Sequence, residues 1–188
     1  DPELCNSSDV LIDVCYSGIN YADILVRMGV YESAKQYVGW PITPGFEVSG
    51  RVSKIGSDVT QFKPGDEVVG FTLFNGYSSK ICLPQDQIIR LPKHFQPEQG
   101  ACLPAAHMTA YYALYQIFHL APESLFLVHS AAGGVGSALV SLATARGHRV
   151  VGVVGNPSKK SYVSDLGAIE VFARGDDGFN YDQITSKH

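Results

Sequence analysis

The chain has 188 residues, a formal net charge of −4 and 45% hydrophobic residues, so it is long enough to bury the core of one domain or of two small ones. The weak negative charge gives no reason to expect a nucleic acid or an anionic membrane as partner, and no apolar run reaches the ~20 residues that cross a bilayer. Without a C-x-x-C pair, the cysteines are typical of reduced, mostly buried thiols in a cytoplasmic protein. They are Cys5, Cys15, Cys82 and Cys102.

Residues 8–92 have the pattern of β-structure. The period-2 alternation over residues 10–14 predicts a first strand. Further strands are predicted over 46–55, 67–71, 77–83 and 88–91. One short helix is predicted over 21–28, with Asn20 as N-cap and Gly29 as terminator. Many short strands separated by turns favour a small barrel.

A connector follows the strands. A helical turn is predicted over 99–103, and a longer helix begins at Pro104, where apolar residues recur on one face. We therefore expect three segments: a barrel domain at 1–95, a helical connector at 96–122 and a third segment at 123–188.

The third segment opens with a βαβ pattern. Leu125–His129 is almost entirely apolar, which predicts a strand buried on both faces. A glycine-rich turn of sequence AAGGVG follows, then a helix over 138–146 that ends at Gly147. A further apolar strand covers 150–154, and another is predicted over 169–172. This order is typical of a dinucleotide-binding site, where the N–H groups at the start of the helix hold a pyrophosphate.

The glycine turn has the pattern A-x-G-x-x-G, because Ala131 occupies the position of the usual first glycine. Gly133 allows the backbone to approach the phosphates, and Gly136 allows the helix to pack closely on the strand. We expect the cofactor to bind at Ala131, Gly133, Gly134, Val135 and Gly136. The alternative is a tight turn between strand and helix in an α/β protein of another kind.

The segment after the second strand of this unit favours NADPH over NADH. An acidic residue there binds both ribose hydroxyls of NAD, but residues 150–160 contain no Asp or Glu. The residues expected around the 2′-phosphate are Gly155, Asn156, Ser158 and Lys159, with Lys160 as a further cation. Alternatively, both lysines are solvated residues at the start of a helix predicted over 158–166.

Five blocks occur in an order that resembles the medium-chain dehydrogenase/reductase superfamily. They are GINYADILVRMGVY (18–31), PGFEVSGRVSKIG (44–56), FKPGDEVVGF (62–71), LPAAHMTAYYAL (103–114) and VHSAAGGVGSALVSLA (128–143). The chain is most similar to the zinc-free, zeta-crystallin-like quinone oxidoreductases. The resemblance implies an α/β fold class, with a GroES-like β-barrel domain followed by a partial Rossmann dinucleotide-binding domain. It also implies NADPH-dependent reduction of quinones or of conjugated enones and alkenals, in an enzyme that forms a homodimer at full length.

Zinc-dependent members of the superfamily hold their metal through the His of a G-H-E triplet and a Cys near the first helix. Here the triplet reads Gly45-Phe46-Glu47, and residues 20–23 contain no thiol. We therefore expect no metal site. Without a Lewis acid, the acceptor must already be electrophilic, as a quinone or an α,β-unsaturated carbonyl is.

The resemblance also implies the catalytic residues. Asn20 and Tyr31 would lie in the cleft between the domains, beside the nicotinamide and the substrate, and Tyr21 is a second tyrosine of the same kind. Tyr31 would either donate a hydrogen bond to the enolate oxygen or stack on an aromatic ring. Thr109 would lie near the nicotinamide. The structural alternatives are that Asn20 only caps its helix, Tyr31 only covers the barrel and Thr109 only packs its helix.

Members of the family have three more strands after this point, and residues 181–188 resemble the start of the third helix of the nucleotide domain. The resemblance therefore implies a truncated chain that binds NADPH weakly and turns over poorly by itself. Two other functions stay open. One is an enoyl-thioester reductase, which needs a tunnel for an acyl carrier, and the other is a non-catalytic relative that keeps the fold as a binding or structural module.

Overall fold

The computed structural model describes residues 5–117 and 121–174. The chain divides into two compact units between Ala105 and Ala106, which is inside the segment predicted as the connector. Each unit contains a sheet of its own. Residues 175–188, which include the predicted start of a third helix, lie outside the described residues.

The first unit is built on an antiparallel sheet of five strands. These are β1 (Asp9–Ser17), β2 (Glu47–Ile55), β3 (Glu67–Phe71), β4 (Lys80–Pro84) and β5 (Ile88–Arg90). Their order in the sheet is β4-β1-β2-β3-β5, so β1 and β2 are central. Every second residue of these strands faces one core, which is why the period-2 pattern predicted them. That core includes Val10, Ile12, Val48, Val68 and Leu83.

Three short helices accompany this sheet: α1 (Tyr21–Arg27), α2 (Glu32–Tyr37) and α3 (Pro97–Gly100). The prediction of α1 is confirmed, and Gly29 follows it with a φ of +72°. α2 was not predicted, because its six residues bury only Ala34 and carry no clear helical period. Packing of Ala34 and Tyr31 against Phe46 and Phe74 stabilises it instead. The helical turn predicted over 99–103 overlaps α3, and the N–H groups of Cys102 and Leu103 continue its turns, but the helix begins earlier, at Pro97, a residue favoured in a first helical turn.

The second unit contains a parallel sheet in the order β6-β7-β8, formed by β6 (Leu125–His129), β7 (Arg149–Val154) and β8 (Glu170–Ala173). α4 (Pro104–Tyr112) leads into it and continues as one π-helical segment, Ala113–Ile117. α5 (Gly134–Ala145) connects β6 to β7, and α6 (Lys160–Asp165) connects β7 to β8. The βαβ unit predicted from the glycine turn is therefore present.

The prediction that β6 is buried on both faces is wrong. Leu125 and Leu127 are 40% and 41% exposed, and Val128 is the buried residue of the strand. Among the described residues, β6 pairs with β7 alone and forms an edge of the sheet. β7 lies between two strands, so its valines are fully buried. Apolar sequence therefore predicted a strand correctly but not its position in the sheet.

The expectation of reduced, mostly buried cysteines is also wrong. Cys5 and Cys82 form a disulfide, and Cys15 and Cys102 are free and exposed. Cys82 lies on β4 opposite Leu11 of β1, so the pairing of these strands brings it close to the residues that precede β1. The two cysteines are 77 residues apart, so their spacing in the sequence did not indicate that they form a disulfide.

Loss of this disulfide should destabilise the first unit. We expect Cys5→Ser to lower the free energy of unfolding by about 2–4 kcal/mol, because the bridge restricts a long loop of the unfolded chain. Urea denaturation without reductant measures the change, and thiol titration of the wild type should find two free thiols. Cys15→Ser is the matched control and should leave stability unchanged. Equal midpoints for all three proteins would contradict the bridge.

Candidate functional site

The turns that follow β6 and β7 lie at the same edge of the parallel sheet. The two strands pair in parallel, with His129 opposite Val153, so their carboxyl ends coincide. Ligands of open α/β sheets bind at this edge. The predicted cofactor residues after β6 and after β7 are therefore brought together.

The turn after β6 presents the start of α5. Gly133 is the N-cap residue, and the first hydrogen bond of the helix joins the N–H of Ser137 to the carbonyl oxygen of Gly133 at 2.8 Å. The N–H groups of Gly134, Val135 and Gly136 precede this bond, as the first donors of a helix do. Unpaired donors and the partial positive charge of a helix N-terminus suit a pyrophosphate.

The three glycines of this turn differ in how much space a side chain would have. A Cβ at Gly136 would lie 2.2 Å from the carbonyl oxygen of Ser130, a contact that no side chain permits. A Cβ at Gly133 would lie 3.2 Å from the same oxygen, and one at Gly134 would lie 3.8 Å from the Cβ of Ala106. Gly136 thus allows α5 to pack on the end of β6, whereas Gly133 and Gly134 are exposed on the ligand side.

Ala131, the residue in place of the usual first glycine, is completely buried. Its N–H donates to the carbonyl oxygen of Val153 at 3.0 Å. Its Cβ lies 3.2 Å from where a Cβ of Gly152 would be. Ala131 therefore joins the turn to β7 as part of the core, and its methyl group fits because Gly152 lacks a side chain.

The residues predicted around the 2′-phosphate are exposed at the end of β7: Gly155, Asn156, Ser158 and Lys159. The side chain of Asn156 accepts a hydrogen bond from the N–H of Ser158 at 2.9 Å and caps a 3₁₀ turn, Pro157–Lys159. Lys159 is the N-cap residue of α6, which begins at Lys160 rather than at 158.

Arg174 was missed from the sequence. It follows β8, and its guanidinium lies 3.6 Å from the position of a Cβ on Gly155. Its N–H donates to the carbonyl oxygen of Val154 at 2.9 Å, which holds it beside the end of β7. The sequence could have indicated Arg174, because it is a cation directly after the third parallel strand, and that strand ends at the edge of the sheet where ligands bind.

In the first unit, Asn20 lies at the N-cap of α1 and contacts a buried carboxylate. Its side-chain Nδ2 donates to Oε1 of Glu47 at 2.8 Å. Oε2 of Glu47 accepts from the N–H of Ala105 at 2.8 Å. Glu47 is only 2% exposed, and two donors offset part of the cost of burying its charge.

A second buried carboxylate, Asp23, orders the same region. Its Oδ2 accepts from the backbone N–H of Asn20 at 2.7 Å and from the hydroxyl of Tyr77 at 2.9 Å, and its Oδ1 accepts from the N–H of Gly45 at 2.9 Å. Partial burial, and then the hydrogen bond to Asp23, raise the pKa of Tyr77 to about 12. Asp23 thereby joins α1 to the loop before β2.

The two tyrosines predicted at the catalytic site have different surroundings. Tyr31 is half-buried, and its ring contacts those of Phe46 and Phe74 edge-on, with centroids 5.7 and 6.3 Å apart. Tyr21 is 73% exposed on α1. Asn20 and Tyr31 thus contact Glu47 and Phe46, neighbouring residues at the start of β2. Among the described residues, no ring contact or side-chain hydrogen bond joins Tyr21 to this cluster.

Thr109 lies in the second unit, on an exposed part of α4. It borders a groove of about 760 Å³ whose lining includes Met108, Tyr112 and Leu142. Over residues 5–117 and 121–174, no group of three or more His, Cys, Asp or Glu side chains is arranged to hold a metal ion. No helix in the same residues is both long and apolar enough to span a membrane.

The comparisons with known proteins agree with this architecture. Residues 6–93 match the alcohol dehydrogenase GroES-like domain family. The quinone oxidoreductase of Mus musculus is 37% identical over 167 residues, which are 88% of this chain and 50% of the mouse protein. The chain therefore spans about half the length of this curated relative.

Two solved structures resemble the chain closely. The CurK enoyl reductase has a TM-score of 0.90 at 30% identity, covering 97% of this chain and 56% of its own. The Escherichia coli quinone oxidoreductase complexed with NADPH has a TM-score of 0.85 at 31% identity, with the same coverage. The predicted fold class, a GroES-like domain followed by a partial dinucleotide-binding domain, is confirmed. The chain belongs to the medium-chain dehydrogenase/reductase superfamily, in the branch of the quinone oxidoreductases.

Proposed function

We propose that this chain serves an NADPH-dependent, zinc-independent oxidoreductase that reduces quinones or α,β-unsaturated carbonyls. The observation that carries the proposal is the exposed N-terminus of α5, with Gly133 and Gly134 on its ligand side, at the carboxyl edge of a parallel sheet. A similar structure, the Escherichia coli quinone oxidoreductase, is a complex with NADPH. When bound, it would supply a hydride.

The protein's own residues would bind the cofactor and orient the acceptor. The N–H groups at the start of α5 would hold the pyrophosphate, and Arg174 with Lys159 would attract the 2′-phosphate. Asn20 and Tyr31 would bind and orient the nicotinamide and the acceptor, with Thr109 near the nicotinamide. The acceptor is a small molecule that needs no metal ion to polarise it. Cytoplasmic localisation and a homodimer at full length stay predictions.

Calorimetric titration of the 188-residue chain with NADPH and NADH tests the proposal. We expect NADPH to bind about tenfold more tightly, because a charge-assisted contact to the 2′-phosphate is absent for NADH. Arg174→Ala should reduce this preference, whereas Lys93→Ala, which removes an exposed cation of the first unit, should not. Failure of both cofactors to bind would contradict the proposal.

An enoyl-thioester reductase is the second candidate, favoured by the similarity to the CurK enoyl reductase. NADPH oxidation followed by absorbance, with a quinone, an enone and an enoyl thioester as acceptors, separates the two activities. Binding of NADPH without oxidation by any of these acceptors would instead support a non-catalytic relative.

A further inference from the structure

β6 lacks the residues that normally protect the edge of a sheet. An edge strand presents a row of N–H and C=O groups that can pair with another strand, and proteins usually protect it with charged residues or proline. In the two sheets that the described residues form, the other three edge strands carry such residues: Lys80 and Pro84 on β4, Arg90 on β5 and Glu170 on β8. β6 reads LFLVH and contains no Lys, Arg, Asp, Glu or Pro. This edge is therefore open to a further strand.

The side chains of β6 are apolar on both faces of the strand. Leu125 and Leu127 are 40% and 41% exposed on one face. On the other face, Val128 belongs to the core of the second unit, and Phe126 packs against that core. A groove of about 380 Å³ borders the strand, lined by β6, by the π-helical segment and by α5, which contributes Leu139. A partner strand would therefore gain apolar contacts as well as backbone hydrogen bonds.

The apolar surface of the second unit continues beyond β6. The groove beside the strand shares Ala113 with the larger groove on α4, where Met108 and Tyr112 are 55% and 60% exposed. Stable interfaces bury about 800 Å² on each partner, which is more than a pair of five-residue strands supplies. The continuity of the two grooves favours a folded partner over an isolated extended peptide.

A second copy of this chain fits the open edge. Two identical strands can pair antiparallel around a two-fold axis, the commonest symmetry of protein dimers. With Leu127 on the axis, Leu125 of one copy would lie opposite His129 of the other, and Phe126 opposite Val128. Since β6 has no acidic residue, lysine or arginine, this pairing opposes no like charges. Self-pairing of β4, β5 or β8 would bring two like charges into one short ladder, which is unfavourable.

We propose that the chain forms a two-fold dimer in which β6 pairs antiparallel with β6 of a second copy. The parallel sheets of the two copies would then form one continuous sheet, with three strands from each copy. Leu125 and Leu127, the exposed leucines of the strand, would be covered. The inference does not depend on the proposed function, because no residue of β6 is assigned to the cofactor or the acceptor.

Analytical ultracentrifugation of the 188-residue chain tests the proposal. At about 50 μM, above the micromolar dissociation constant that a weak interface gives, we expect a species of twice the 20.3 kDa monomer mass. Leu127→Lys should raise the dissociation constant at least about 100-fold, because two like charges would meet at the axis. Circular dichroism checks that this variant stays folded. Ile89→Lys is the matched control, since Ile89 is 58% exposed on the edge strand β5, and it should leave the dimer intact.

A monomeric wild type would overturn the proposal and would leave this edge to a strand of a different protein. A dimer that persists in a folded Leu127→Lys variant would also overturn it, because the interface would then lie elsewhere.

Thiol cross-linking tests the register of the pairing without relying on a lysine variant. In a Cys15→Ser and Cys102→Ser background, which removes the two free thiols, a short bismaleimide should link Leu127→Cys into a covalent dimer. The two Leu127 Cβ atoms would be about 5 Å apart, whereas the two Leu125 positions would be separated by four residues of strand, or about 14 Å. Leu125→Cys is therefore the control and should remain largely unlinked. Equal linking of both variants, or no linking of Leu127→Cys, would overturn the proposed pairing.

Discussion

Replacing Gly133 with aspartate is expected to weaken NADPH binding at least about 100-fold while leaving α5 folded. Gly133 is the N-cap residue of this helix, and aspartate is among the residues that cap helices best. The added carboxylate would stand where the pyrophosphate is proposed to bind, and two like charges at one site cost several kcal/mol. The helix should therefore tolerate the change that the cofactor does not.

Calorimetry with NADPH measures the loss, and circular dichroism checks that the helix remains. Gly133→Asn is the matched control, since it has nearly the same shape and also caps helices, but carries no charge. The difference between the two variants isolates the electrostatic contribution. Equal NADPH affinity in Gly133→Asp and in the wild type would contradict the assignment of this turn as a phosphate site.

Replacing Gly136 with alanine is expected to destabilise the second unit by about 3 kcal/mol, the upper end of ordinary overpacking. The new Cβ would lie 2.2 Å from the carbonyl oxygen of Ser130, a backbone atom that cannot rotate away. Ser130 itself has a φ of +51°, so its backbone has little room to adjust. Either α5 must separate from β6 or the turn must open.

Urea denaturation followed by circular dichroism measures this loss, with Gly134→Ala as the control. A Cβ at Gly134 would meet only the Cβ of Ala106 at 3.8 Å, an ordinary contact. Alanine there should be neutral or should stabilise the protein by about 0.5 kcal/mol, because it restricts the unfolded chain. If both alanines had the same effect, the close packing at Gly136 would not be the reason for its glycine.

The elements that the sequence predicted correctly share one property, which is that their pattern is local. The alternation that predicted β1, the glycine that ends α1 and the strand-turn-helix order around Gly133 each occupy one short segment. α2 shows the converse, because contacts of Ala34 and Tyr31 with Phe46 and Phe74 stabilise it. The latter two residues belong to other parts of the chain.

The candidate site also has features that the sequence predicts and features that only tertiary contacts reveal. The glycine turn and the missing acidic residue after β7 were visible in the sequence, since each concerns consecutive residues. Arg174 became a candidate only when the parallel pairing of β7 and β8 placed it beside Gly155. The pairing of Asn20 with Glu47 joins residues 27 positions apart, and no spacing rule connects them.

By itself, the sequence determined the fold class, the family resemblance and the position of the glycine turn, because periodicity, turn chemistry and motif order are properties of neighbouring residues. Only the tertiary structure decided that β6 lies at the edge of the sheet that the described residues form, that Cys5 is bonded to Cys82 and that the side chain of Asn20 donates to Glu47. Each of these depends on which strands pair and which chain segments meet in the folded state. Those are contacts between distant residues, and hydrophobic pattern alone does not specify them.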